Sequence, residues 1–132
     1  MTISTRTEVI ASDIVDAAYS VHSTLGPGLL ESVYEDCLAY ELTERGLEFK
    51  RQHVLPIQYK EHRVESGLRL DFLVEDLVVL EIKAVESVAK VHTAQLLTYL
   101  KISGAHLGFL LNFNVALIKN GIGNLFLAVI GV

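Results

Sequence analysis

The chain has 132 residues, 51% hydrophobic and 20% charged, with 11 Lys+Arg against 16 Asp+Glu for a net charge of −5. That length corresponds to one domain, residues 1–132, with enough chain for a packed core, and a mean hydropathy of +0.40 excludes a disordered chain. No apolar run reaches the roughly 18 residues of a membrane helix, Met1 to Glu8 lacks the apolar stretch of a signal peptide, and the single cysteine, Cys37, cannot form an internal disulfide, so a reduced, cytoplasmic setting is expected.

Ile10, Ile14, Ala17, Ala18, Val21 and Leu25 recur at helical spacing and predict a first amphipathic helix, closed by Gly26-Pro27-Gly28. A second helix is expected with Leu30, Val33, Tyr34, Cys37, Leu38 and Leu42 on one face and Gly46 as its stop. From Phe49 to Ala84 the period changes to two. Val54 to Tyr59 and Arg63 to Ser66 read as one strand pair, turning near Lys60-Glu61. Leu68 to Val74 and Val78 to Ala84 read as another, turning around Glu75-Asp76. A third helix is expected from about Ser87 to Ser103, before Gly104. His106 to Phe113 and Ala116 to Lys119 then read as buried strands, and Asn120-Gly121 as a tight turn into a last apolar strand, Leu125 to Ile130. The order ααββββαβββ predicts an α/β (α+β) domain with helices packed on a central mixed sheet.

Five of the eleven basic residues lie between Lys50 and Arg69: Lys50, Arg51, Lys60, Arg63 and Arg69. They could create a local positive potential under a negative total, or simply form the solvated face of a sheet. The acidic pI argues against a sequence-indifferent nucleic-acid coat, whose affinity rests on Lys and Arg.

The segment Arg69 to Lys83 concentrates the chemistry. Glu81 and Lys83 share one face of a strand, and Leu80, Ile82 and Ala84 take the other. Likewise Leu70, Phe72 and Val74 share a face that excludes Asp71. A two-residue turn, Glu75-Asp76, would point Glu81 away from Asp71. A three-residue loop, Glu75-Asp76-Leu77, would pair Val74 with Val78 and set Asp71 opposite Glu81. The three-residue loop is favoured, because only it puts both apolar sets on one face. Two facing carboxylates need a cation between them, either Lys83 or a divalent ion with oxygen ligands. The plainer reading is an exposed Asp–Lys–Glu network on a sheet. On the helices, Glu31 sits at an N-terminus where the dipole favours it, and His92, Gln95 and Tyr99 fall on one line at i, i+3 and i+7.

Together these residues resemble a known group. Gly28-Leu29-Leu30-Glu31-Ser32-Val33-Tyr34 matches the GxxExxY signature that names a family of small proteins. Asp71, nine intervening residues and Glu81-Ile82-Lys83 resemble the core of the PD-(D/E)XK nuclease superfamily, with Leu70 where its name has proline. Gln95-Leu96-Leu97-Thr98-Tyr99 resembles the QxxxY motif of its RecB-like and lambda-exonuclease-like members. The resemblance implies a restriction-endonuclease-like core and a Mg²⁺- or Mn²⁺-dependent nuclease that hydrolyses phosphodiester bonds in DNA, with RNA as the second choice. It implies Glu31, Asp71, Glu81 and the Ile82 carbonyl as metal ligands, and Lys83 as the residue that orients water or stabilises phosphate charge. Gln95 and Tyr99 would hold Lys83 and the substrate strand, with a lesser substrate role for His92. The competing reading is a nuclease-fold module without turnover that binds nucleic acid or assembles with protein. The apolar end, Gly121 to Val132, suggests a sheet edge or a contact with a second copy.

Overall fold

The computed structural model describes residues 3–116 and the backbone of 126–130. Its elements are α1 (Thr5–Leu25), α2 (Glu31–Glu44), β1 (Phe49–Tyr59), β2 (His62–Val74), β3 (Val78–Lys83), α3 (Lys90–Ser103), β4 (Leu107–Asn112) and β5 (Phe126–Ile130). The strands form one mixed sheet in the order β1-β2-β3-β4-β5. Only β3 and β4 pair in parallel, and α3 is the crossover between them.

The first helix begins where Ser4 caps it, its hydroxyl accepting from the Thr7 N–H at 3.1 Å. Its expected stripe, Ile10, Ile14, Ala17, Ala18 and Val21, is buried. The chain then turns through Gly26 (φ 69°) and Gly28 (φ 95°), which a side chain would strain. Tyr34 explains why the turn holds its shape. Its hydroxyl donates to the Gly26 carbonyl at 2.6 Å and accepts from the Leu29 N–H at 3.2 Å. The ring stacks on Phe113 at 4.7 Å. The apolar face of α2 is narrower than expected: Tyr34, Leu38 and Leu42 are buried, whereas Leu30 and Val33 are exposed. Leu30 is the residue just before the helix and Val33 lies in its first turn.

Helices α1 and α2 cover one face of the sheet, packing on Phe72, Val74, Val78, Leu80, Ile82, Phe109 and Leu111. Helix α3 covers the other, packing on Leu68, Leu70, Leu73, Val79 and Leu110. Leu70 therefore does not share a face with Phe72 and Val74 as the alternation suggests. The break falls at Asp71, which is missing from the β1–β2 register between Arg51↔Phe72 and His53↔Leu70.

Four expected strands before α3 become three. Arg63–Ser66 and Leu68–Val74 fall in one strand, β2; residues 65–67 stand outside the β1–β2 register, yet the strand runs on through Gly67. A Cβ there would lie 2.5 Å from Ile57 Cγ1 and 2.7 Å from its backbone nitrogen, so only glycine lets β1 pass. The register shifts at this point, between Leu55 and Ile57, where Pro56 has no N–H to donate. Helix α3 starts at Lys90 rather than near Ser87. Ala116 lies in a bend; the rest of the strand expected over Ala116 to Lys119, and the Asn120-Gly121 turn, lie outside the described residues.

Candidate active site

The hairpin register decides which side chains meet. Val74 pairs with Val78, Leu73 with Val79 and Phe72 with Leu80, as the three-residue loop requires. Glu75 (φ 53°) and Asp76 (φ 57°) take the left-handed pair that suits strand twist, and the Leu77 N–H donates to the Val74 carbonyl at 2.9 Å. Glu75 is held there by an ion pair with Arg6 and by the Glu48 N–H at 2.6 Å.

One step beyond Phe72↔Leu80, side chains take over from the ladder. The Asp71 N–H donates to Glu81 Oε2 at 2.9 Å, and the Ile82 N–H donates to Asp71 Oδ2 at 2.8 Å. Each carboxylate thus satisfies an amide of the other's strand or its neighbour, and the two acids are locked face to face. Glu81 is only 6% exposed. Burial, then the Asp71 charge, pushes its carboxyl up to about 8. Asp71 is also raised, mainly by burial, with the Ile82 amide pulling the other way.

Lys83 ends β3 beside them, opposite Asn112 of β4. It makes no ion pair among the described residues, while its charge favours ionisation of both acids. Asn112, which sequence reasoning did not single out, fixes the chain just past Lys83. Its amide donates to the Val85 carbonyl at 3.0 Å and its oxygen accepts from the Val85 N–H at 3.1 Å.

Helix α3 brings Gln95 and Tyr99 together, the Gln95 amide donating to the Tyr99 hydroxyl at 2.7 Å. Burial, then the charge of Glu81 and, to a lesser degree, that of Asp71 raise the Tyr99 phenol. His92 is differently employed: its Nδ1 accepts from the Ala89 N–H at 3.2 Å and closes its own helix. Glu31 is not brought against the acid pair. Its Oε1 accepts from the Ala84 N–H at 3.2 Å, at the exit of β3. Among the described residues, no three His, Cys, Asp or Glu gather closely enough to hold a metal ion.

Two further residues belong to this site. Glu35, one turn after Glu31, adds its charge to the surroundings of Asp71 and Glu81. Gln52 donates to Glu35 Oε1 at 2.5 Å and to Asp71 Oδ1 at 3.3 Å. The available signal for Glu35 was its i+4 spacing from Glu31; for Gln52 there was none without the β1–β2 register. The basic run of β1 and β2 turns out largely neutralised. Arg51 pairs with Glu35 and Asp36, Lys50 with Asp76, and Arg63 with Glu65.

A sequence model of the PD-(D/E)XK nuclease superfamily matches residues 8–125, most of the chain. The chain belongs to that superfamily. The sheet, its flanking helices and the acid-bearing hairpin agree with its restriction-endonuclease-like fold. The match is at superfamily level and does not single out the GxxExxY family. No curated protein and no solved structure matched the chain. Among the described residues, no helix is long and apolar enough to cross a membrane.

Proposed function

We propose that this protein is a divalent-metal-dependent nuclease that hydrolyses phosphodiester bonds in DNA, with RNA as the second substrate class. The observation that carries this reading is the Asp71–Glu81 pair, two facing carboxylates in a largely buried setting with no cation bonded to either among the described residues. Such a pair suits a hard divalent ion, which takes oxygen donors. Among the described residues Glu81 Oε1 carries no hydrogen bond and Asp71 Oδ1 carries only the long one from Gln52, so each acid keeps an oxygen to offer. Asp71, Glu81 and the Ile82 carbonyl would hold Mg²⁺ or Mn²⁺, with Glu31 reaching in from α2. When bound, the ion would polarise a phosphoryl oxygen and make water a better nucleophile near neutral pH.

The chain's own residues supply the rest. Lys83, without an ion-pair partner among the described residues, faces the same side as Glu81 and would stabilise negative charge growing on the phosphate. Gln95 and Tyr99, joined by their hydrogen bond, form a polar ledge on α3 for the substrate strand, with His92 at the helix start. Cys37, a free thiol, is compatible with a reducing, cytoplasmic setting. Because β5 is an edge strand, a second copy could extend the sheet there.

A second reading, a nuclease-fold module that binds or assembles without turnover, draws support from Glu31 resting on Ala84 rather than on the acid pair. Labelled linear single- and double-stranded DNA separates the two, incubated with Mg²⁺, Mn²⁺ or EDTA. The nuclease reading expects metal-dependent cutting by the wild type and at least about a hundredfold loss in Lys83→Ala. Equal cutting by both proteins, or none under any metal, would reject it.

A further inference from the structure

We propose that Gln52 is a positioning residue of the acid pair: its side-chain amide bridges Glu35 and Asp71 and holds the Asp71 carboxylate facing Glu81. The consequence for cleavage rests on the nuclease reading above; the bridge itself rests on the geometry of β1 and β2.

Gln52 lies within a long strand, yet its φ is 48°. The other described non-glycine residues with positive φ, Lys60, Glu75 and Asp76, sit in the two hairpin turns, where chain reversal calls for that conformation. Nothing reverses at Gln52. A long, unbranched side chain in the left-handed region persists where its surroundings over-determine it, and such places cluster at functional sites. Here the ladder runs Arg51↔Phe72 and His53↔Leu70 and omits the pair between them, so Gln52 and Asp71 face each other across a gap in the pairing. At this same point the apolar alternation of β2 breaks, Leu70 packing under α3 and Phe72 under α1 and α2.

The chemistry of the bridge is specific to an amide. Both partners are carboxylates and only accept, so the connecting atom must carry two hydrogens, as the terminal –NH₂ does. Glutamate there would add a third anion. Lysine would add a cation that competes with a divalent ion for the same oxygens. Glutamine links the two acids while leaving the local charge unchanged. Glu35 is itself anchored, its Oε2 taking Arg51 Nη2 at 2.7 Å and Nε at 3.2 Å. The restraint therefore runs from Arg51 through Glu35 and Gln52 to Asp71, and ends on the Ile82 N–H.

The Ile82 amide reads the Asp71 carboxylate without metal or substrate. In Gln52→Gly, which removes the bridge and suits a positive φ, hydrogen exchange at Ile82 is expected to quicken by about tenfold, the factor a charge-assisted bond carries. Exchange at Leu80 and the melting temperature should hold. Gln52→Asn, which tolerates the same φ but is one methylene shorter, should behave alike. In the cleavage assay both variants should need about 10–100-fold more Mn²⁺ for half-maximal rate. Unchanged Ile82 exchange in both variants would overturn the proposal, as would unchanged Mn²⁺ dependence with wild-type cutting intact. A wild type that cuts nothing would reject the nuclease reading alone, and the Ile82 comparison would still decide the role of Gln52.

Discussion

The two faces of the sheet use the same strands for opposite ends. Under α1 and α2, Phe72, Val74, Leu80 and Ile82 are closed off from water and carry no charge. Under α3, Leu73 and Val79 begin in the same way, but one step further the face turns ionisable with Asp71, Glu81 and Lys83. The apolar face sets the register, since a one-residue slip would expose its whole set. That register is what places the two acids opposite each other. Stability is therefore invested on one side, and a strained backbone and two closely facing acids, one holding its proton to about pH 8, are tolerated on the other.

Substitutions should separate the two faces. Asp71→Asn keeps the shape and removes the charge; cleavage should fall by about 10³-fold or more, with melting temperature held or raised. A destabilised Asp71→Asn would mean that the pair is structural. Phe72→Ala, on the opposite face, should cost about 3–5 kcal/mol in denaturant unfolding, while the fraction still folded keeps its metal-dependent cutting. Loss of cutting without loss of stability would break the division between faces.

A pH series sharpens it further. Glu81 is raised from 4.5 to about 8, so the folded protein keeps a proton that the unfolded chain has already released. Without divalent metal, its contribution is full below about pH 4.5 and is lost as pH rises towards about 8. From about pH 5.5 to 7.5 stability should drop by up to about 3 kcal/mol. Glu81→Gln should flatten that slope; a wild-type curve that rises over the same window would contradict the assignment.

Much of this was legible in the chain. The alternation of Leu80, Ile82 and Ala84 against Glu81 and Lys83 selected the hairpin register, because period two records which face is buried. The spacing of Gln95 and Tyr99 likewise anticipated their contact on α3. What escaped depends on neighbours distant in sequence. Gly67 reads as a break, yet it is the residue that lets β2 run past Ile57. Leu70 follows the alternation on paper but crosses to the other cluster where Gln52 and Asp71 leave the ladder. Local composition cannot show that Arg51 is spent on Glu35 and Asp36, because those acids arrive from α2.

The central claim is that the Asp71–Glu81 pair is a cation site on an otherwise conventional sheet. Thermal unfolding at pH 8 with increasing Mn²⁺ tests it most directly, because an ion that binds only the folded state raises the melting temperature with concentration. The account predicts a progressive rise for the wild type and none for Glu81→Gln. An equal rise in both proteins, or no rise in either, would contradict it.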